Sequence, residues 1–88
     1  MKRIHIVVTG RVQSVGFRYF CHEAAVRLGI GGYARNLGDG SVEIEAEGEE
    51  AAVEEFAKTV ARGPRAATVE KVVREEREAI GERSFRTA

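Results

Sequence analysis

Gly10-Arg11-Val12-Gln13-Ser14-Val15-Gly16-Phe17-Arg18 is the stretch on which the reading of this chain turns. Before it, Ile4, Ile6 and Val8 alternate with Arg3, His5 and Val7, the period-two pattern of a strand with one buried face. After it, Phe17, Cys21, Ala24 and Leu28 recur at four, three and four residues, the apolar stripe of a helix. The stretch is therefore the turn from a strand into a helix N-terminus. The first N–H groups of a helix lack intrahelical partners, and the helix dipole adds positive charge there, so such a turn is suited to an anion, phosphate above all. Arg18 falls in the first helical turn, where a cation opposes the dipole unless an anion is bound between them. Its guanidinium can fork onto two oxygens of one phosphate.

The remaining elements follow from punctuation and period. Gly29 ends the first helix after Leu28. A strand is expected from about Gly32 to Leu37 and a turn at Gly38-Asp39-Gly40. A second strand over Ser41–Glu47 places Val42, Ile44 and Ala46 inward and Glu43, Glu45 and Glu47 toward water. Glu49 to about Arg62 reads as a helix buried along Ala52 or Val53, Phe56 and Val60, and Gly63-Pro64 stops it. Ala67, Val69, Val72 and Val73 mark a further strand whose alternation slips, which a bulge near Glu70-Lys71 explains. The tail from Ile80 to Arg86 has room for an edge strand but is too short for its pattern to place one. The order strand–helix–strand–strand–helix–strand predicts an α+β, ferredoxin-like α/β sandwich (βαββαβ), one antiparallel sheet with two helices packed on one face. The first two strands then run the same way, which brings the phosphate loop and Asn36 to one end of the sheet.

The loop resembles the signature of the acylphosphatase family, a phosphate cradle of the form GxVQGVxFR. Gly31-Gly32-Tyr33-Ala34-Arg35-Asn36-Leu37-Gly38-Asp39-Gly40-Ser41-Val42-Glu43 is similar to that family's second motif, GxVxNxxDGxVE. The order and separation match, and the length is that of a whole family member. Ser14 departs from the pattern, standing where the family usually has Gly. The resemblance implies the ferredoxin-like fold and the hydrolysis of acyl phosphates to a carboxylate and inorganic phosphate without a metal or other cofactor. It also implies that Arg18 binds the phosphate and Asn36 positions the attacking water.

The residues themselves agree with sparse chemistry. The backbone amides of Gln13, Ser14, Val15, Gly16, Phe17 and Arg18 can surround a phosphoryl group. Arg18 is a fixed charge and not a base, and the Asn36 amide can both donate and accept. Neither motif supplies a strong base or nucleophile, which leaves positioning and charge stabilisation, most of what phosphoryl transfer needs. Asn36 read without the resemblance serves equally as a hairpin residue. If Ser14 takes a positive φ, it is strained.

Composition bounds the rest. The 88 residues point to one domain over residues 1–88, and the formal net charge of +0 argues against a general nucleic-acid binder. An RNA-recognition module shares the element order but needs exposed aromatics on its central strands, and Val42–Glu47 has none. A regulatory domain that keeps the cradle and binds phosphate without turnover is the other alternative. Arg3, Arg11, Arg18 and Arg35 would form a basic patch if they gathered at one end; otherwise they are solvated surface charge, the expectation for Arg3. Cys21 lies on the apolar stripe and reads as a core residue. His5 is expected on the helix-free face and His22 on a solvated helix surface, and with no third ligand neither is assigned to a metal. The absence of a signal sequence or long apolar run points to the cytoplasm. The expected partners are a small acyl phosphate and inorganic phosphate, as product and inhibitor, with no nucleic acid or membrane and with a monomeric state.

Overall fold

A computed structural model describes all residues from Met1 to Ala88. The elements are β1 (Lys2–Arg11), α1 (Phe17–Leu28), β2 (Gly31–Asn36), β3 (Val42–Gly48), α2 (Glu50–Arg62), β4 (Thr68–Arg77) and β5 (Phe85–Thr87). They form one sheet in the order β4-β1-β3-β2-β5. Since β1 and β2 both lie antiparallel to β3, they point the same way, as the crossover argument requires.

Ile4, Ile6 and Val8 of β1, Val42, Ile44 and Ala46 of β3, and Ala34 of β2 form the sheet's side of the core. Phe17, Cys21, Ala24 and Ala25 of α1 and Val53, Phe56 and Val60 of α2 close over them. Cys21 is fully buried, and burial pushes its thiol up to about 12, so it behaves as a small apolar side chain. Gly29 ends α1 at φ 71°, with the Ile30 N–H returning to the Ala25 carbonyl at 2.8 Å, a left-handed turn that closes the helix's last carbonyls.

The slip in β4 is a bulge at the expected place. Thr9 pairs with Lys71 and Gly10 with Val69, which leaves Glu70 as the extra residue. Gly10 sits opposite it at φ 127°, and a Cβ there would stand 2.2 Å from the Thr68 carbonyl oxygen.

Two features differ from the sequence reading. The tail forms β5, which pairs parallel to β2 over Gly32–Ala34, so the four antiparallel strands gain a parallel edge and the sheet is mixed. Phe85 anchors this strand, 8% exposed and tilted against Phe56 with ring centroids 5.8 Å apart. The second difference is that Arg3 and Glu47 are not surface charges. Arg3 is buried on the helix-free face, donating to Glu45 at 2.6 Å and to Glu47 at 2.9 Å, with Glu82 at 3.0 Å. Glu47, 1% exposed, also accepts the N–H groups of Ile80 and Gly81 at 3.0 and 2.8 Å. The segment leading into β5 covers that corner of the sheet, and the two buried charges are tolerated because each is paired and hydrogen-bonded. With Arg3 near the start of β1, Arg11 at its end and Arg35 paired to Glu43, the four arginines form no common patch.

Candidate active site

The loop between β1 and α1 is shaped by two left-handed residues. Gly16 caps α1 at φ 75°, ψ 21°, and Ser14 has φ 63°, the one non-glycine residue with positive φ. This alternation turns successive N–H groups inward, a nest for an anion. The N–H groups of Gln13 to Tyr19 find no acceptor within the protein, and no acidic residue stands in the first turn of α1 to take that role. The Ser14 side chain makes no hydrogen bond that would offset its backbone strain, about 1–2 kcal/mol for a side chain in this region.

A cavity of about 440 Å³ opens at this turn, lined by Val12, Ser14, Gly16, Phe17, Arg18, Tyr19, His22, Asn36 and Thr87. Arg18 and Asn36 therefore line the same cavity despite their separation along the chain. Of the six residues whose amides were expected to cradle phosphate, Ser14, Gly16, Phe17 and Arg18 line the cavity. Gln13 and Val15 stand behind it. Val15 packs on the core, and the Gln13 amide donates to the carbonyls of Leu37 at 2.8 Å and Ser41 at 2.9 Å.

Gln13 thus ties the cradle to the hairpin that carries Asn36. The hairpin is itself braced: Asp39 accepts the Ser41 N–H at 3.0 Å and its hydroxyl at 2.5 Å. These two bonds hold the Asp39 carboxyl below its ordinary pKa. Arg18 is steadied by the tail, donating from Nη1 to the main-chain oxygen of Ala88 at 2.6 Å, while the Ala88 N–H donates to Ala34 of β2 at 3.0 Å. One such bond leaves the other guanidinium N–H groups for a ligand.

Sequence reading missed Val12, Tyr19, His22 and Thr87 as lining residues. His22 follows Arg18 by four positions and so shares its face of α1, a spacing visible in the sequence. Thr87 lies in the unplaced tail, where no periodicity could speak for it. No carboxylate side chain lines the cavity, and no group of three metal-ligating side chains occurs anywhere in the protein.

The family model described as Acylphosphatase matches residues 4–87. The chain belongs to the acylphosphatase family. It is 49% identical over 85 residues to the acylphosphatase of Thermotoga maritima, spanning 97% of this chain and 94% of that protein. To the acylphosphatase of Geobacillus thermodenitrificans it is 45% identical over 78 residues, 89% of this chain and 83% of that one. The crystal structure of acylphosphatase from Bacillus subtilis superposes with a TM-score of 0.96 at 37% identity, covering 100% of this chain and 99% of its own. This chain is accordingly an enzyme with acylphosphatase activity, acting on a small acyl phosphate. The helix-free face gives no support to the RNA-binding alternative. Tyr33 is its lone aromatic, flanked by Arg35 and Arg86 at 5.7 and 5.5 Å, and Glu43, Glu45 and Glu47 run down its centre.

Proposed function

We propose that residues 1–88 hydrolyse the carboxyl–phosphate bond by in-line attack of a water held by Asn36 on a phosphoryl group held by Arg18 and the cradle amides. The observation that carries this is the shared cavity: a fixed cation, a set of unpartnered N–H groups and a neutral amide line it together, with no acidic side chain among them.

Each part has a chemical task. The N–H groups of the nest and the free donors of Arg18 meet the phosphoryl oxygens and, more strongly, the charge that spreads over them in the transition state. The Asn36 carboxamide orients water through its oxygen, a positioning task that needs no basic pKa. The leaving carboxylate departs without a proton, so no general acid is required, and the phosphate oxygens take the proton of the attacking water. The scheme uses no metal ion. The inorganic phosphate left in the cradle keeps the same contacts, which makes it a competitive inhibitor. We assign the enzyme to the cytoplasm as a monomer on its size and balanced charge; no helix is long and apolar enough to cross a membrane.

Benzoyl phosphate turnover tests the roles. Arg18→Ala loses most of kcat/KM and weakens inhibition by inorganic phosphate; unchanged phosphate inhibition would remove Arg18 from the site. Asn36→Ala lowers kcat by about 10²–10³, the scale of losing one preorganised polar group, with little change in KM. A raised KM at constant kcat would overturn the water-positioning role. Turnover persists in excess EDTA, and loss that added magnesium restores would require another mechanism.

A further inference from the structure

The cavity is larger than one phosphate fills. With the phosphoryl group against Ser14, Gly16, Arg18 and Asn36, the acyl half of the substrate meets the other lining residues, Val12, Phe17, Tyr19, His22 and Thr87. Val12 and Phe17 are 1% and 2% exposed and offer little surface, so what an acyl substituent meets is two hydroxyls and an imidazole beside the Tyr19 ring.

His22 is held in place there. It is half-buried, its ring tilted against Phe85 with centroids 6.4 Å apart, a contact that restricts part of its side-chain freedom before binding. It stands one helical turn from Arg18, about 5–6 Å between Cβ atoms. No carboxylate side chain lines the cavity to compete for its N–H. The neighbouring Glu23 is exposed about 100° around the helix, and Glu43, Glu45, Glu47 and Glu54 are engaged by basic partners elsewhere.

We infer that His22, with the Thr87 hydroxyl, selects acyl phosphates whose acyl half carries a second anionic group, a carboxylate set a few ångströms from the scissile bond. The inference rests on Arg18 as the phosphate anchor and adds the acyl specificity of that site. Two groups separated along one helix face, one for each end of a doubly anionic substrate, would fix its orientation as well as its charge.

The experiment compares kcat/KM for 3-carboxybenzoyl phosphate with that for its neutral methyl ester, 3-methoxycarbonylbenzoyl phosphate, a rigid pair that cannot cyclise. The wild type prefers the carboxylate by about tenfold, the scale of one hydrogen bond to a charged group. His22→Phe keeps an aromatic ring against Phe85 but has no donor, and brings the ratio near one; His22→Gln keeps an N–H donor on a different stem and retains part of the preference. The ratio is read between substrates, so any general loss cancels, and either folded variant suffices. A wild-type preference under twofold, or an unchanged ratio in a folded His22 variant, would overturn the inference. Arg18→Ala on the same substrates separates the two readings. If it is inactive while the His22 ratio stays flat, only the acyl specificity fails; if it turns over normally, the phosphate anchor fails too.

Discussion

Replacing Gln13 by alanine tests whether the active site is one rigid unit or two halves that merely face each other. The Gln13 carboxamide spans from the cradle to the β2–β3 hairpin through two hydrogen bonds, to Leu37 and Ser41. Two such bonds contribute about 1–3 kcal/mol together. The lower half of that range applies, because neither carbonyl would be orphaned: Ser41 still accepts the Leu37 N–H at 2.8 Å, and Leu37 the Gly40 N–H at 3.2 Å. The expected loss is therefore about 1–2 kcal/mol, measured by urea unfolding, or about 5–15 °C in melting temperature for a domain of this size. The catalytic loss is larger than the stability loss suggests. With the strap gone, Asn36 and the cradle drift relative to each other, and a displacement near 1 Å costs up to about 10²-fold in rate. Gln13→Ala thus lowers kcat/KM about 10- to 100-fold on benzoyl phosphate, although its side chain does not line the cavity. Gln13→Glu, which sets a carboxylate against two carbonyls, is less stable than Gln13→Ala at neutral pH. Stability unchanged within about 0.3 kcal/mol would refute the strap, and lost stability with intact kcat/KM would refute its coupling to catalysis.

Ser14→Gly relieves about 1–2 kcal/mol of left-handed strain and returns about 0.5–1 kcal/mol through the freer unfolded chain, a net gain of about 0.5 kcal/mol or a few degrees. A thermal melt that falls instead would show the hydroxyl to be engaged. Acid also tests the buried Glu47. Burial raises its pKa, but the Ile80 N–H, the Arg3 guanidinium and the Gly81 N–H outweigh burial, and the folded carboxyl lies below its ordinary 4.5. Its contribution is therefore complete above that pH and drains away as pH falls toward the folded value. Glu47→Gln loses about 3 kcal/mol at pH 7, the low end for stripping one partner from a buried pair, and its stability falls less steeply below pH 4.5 than the wild type's. Parallel pH curves for the two proteins in urea would remove Glu47 from that role.

The sequence carried the local elements well where one residue type does one job. Gly29 closes α1, Gly38-Asp39-Gly40 turns the hairpin, and the slipped alternation of β4 marks the Glu70 bulge, each a local rule that tertiary contacts left intact. Alternation assigns Arg3 and Glu47 to a face, and that assignment is correct. What covers the face is settled by residues more than thirty positions away, which is why their burial could not be read. Three residues of β5 are too few to show a period, and with them went Thr87 and the Ala88 contact to Arg18. Gln13 was legible as part of a motif but not as a strap, because its partners lie 24 and 28 positions on.

The rim of the sheet has a consequence beyond catalysis. An open β-edge is a template on which another chain can lengthen the sheet, and β4 exposes ten residues of one. Six of those ten are charged (Glu70, Lys71, Arg74, Glu75, Glu76 and Arg77), and the bulge at Glu70 bends the strand near its start. The opposite rim is three residues long, too short to seed a neighbour. At both margins the fold discourages fibril growth, leaving a concentrated solution of this enzyme little opportunity for strand addition between copies.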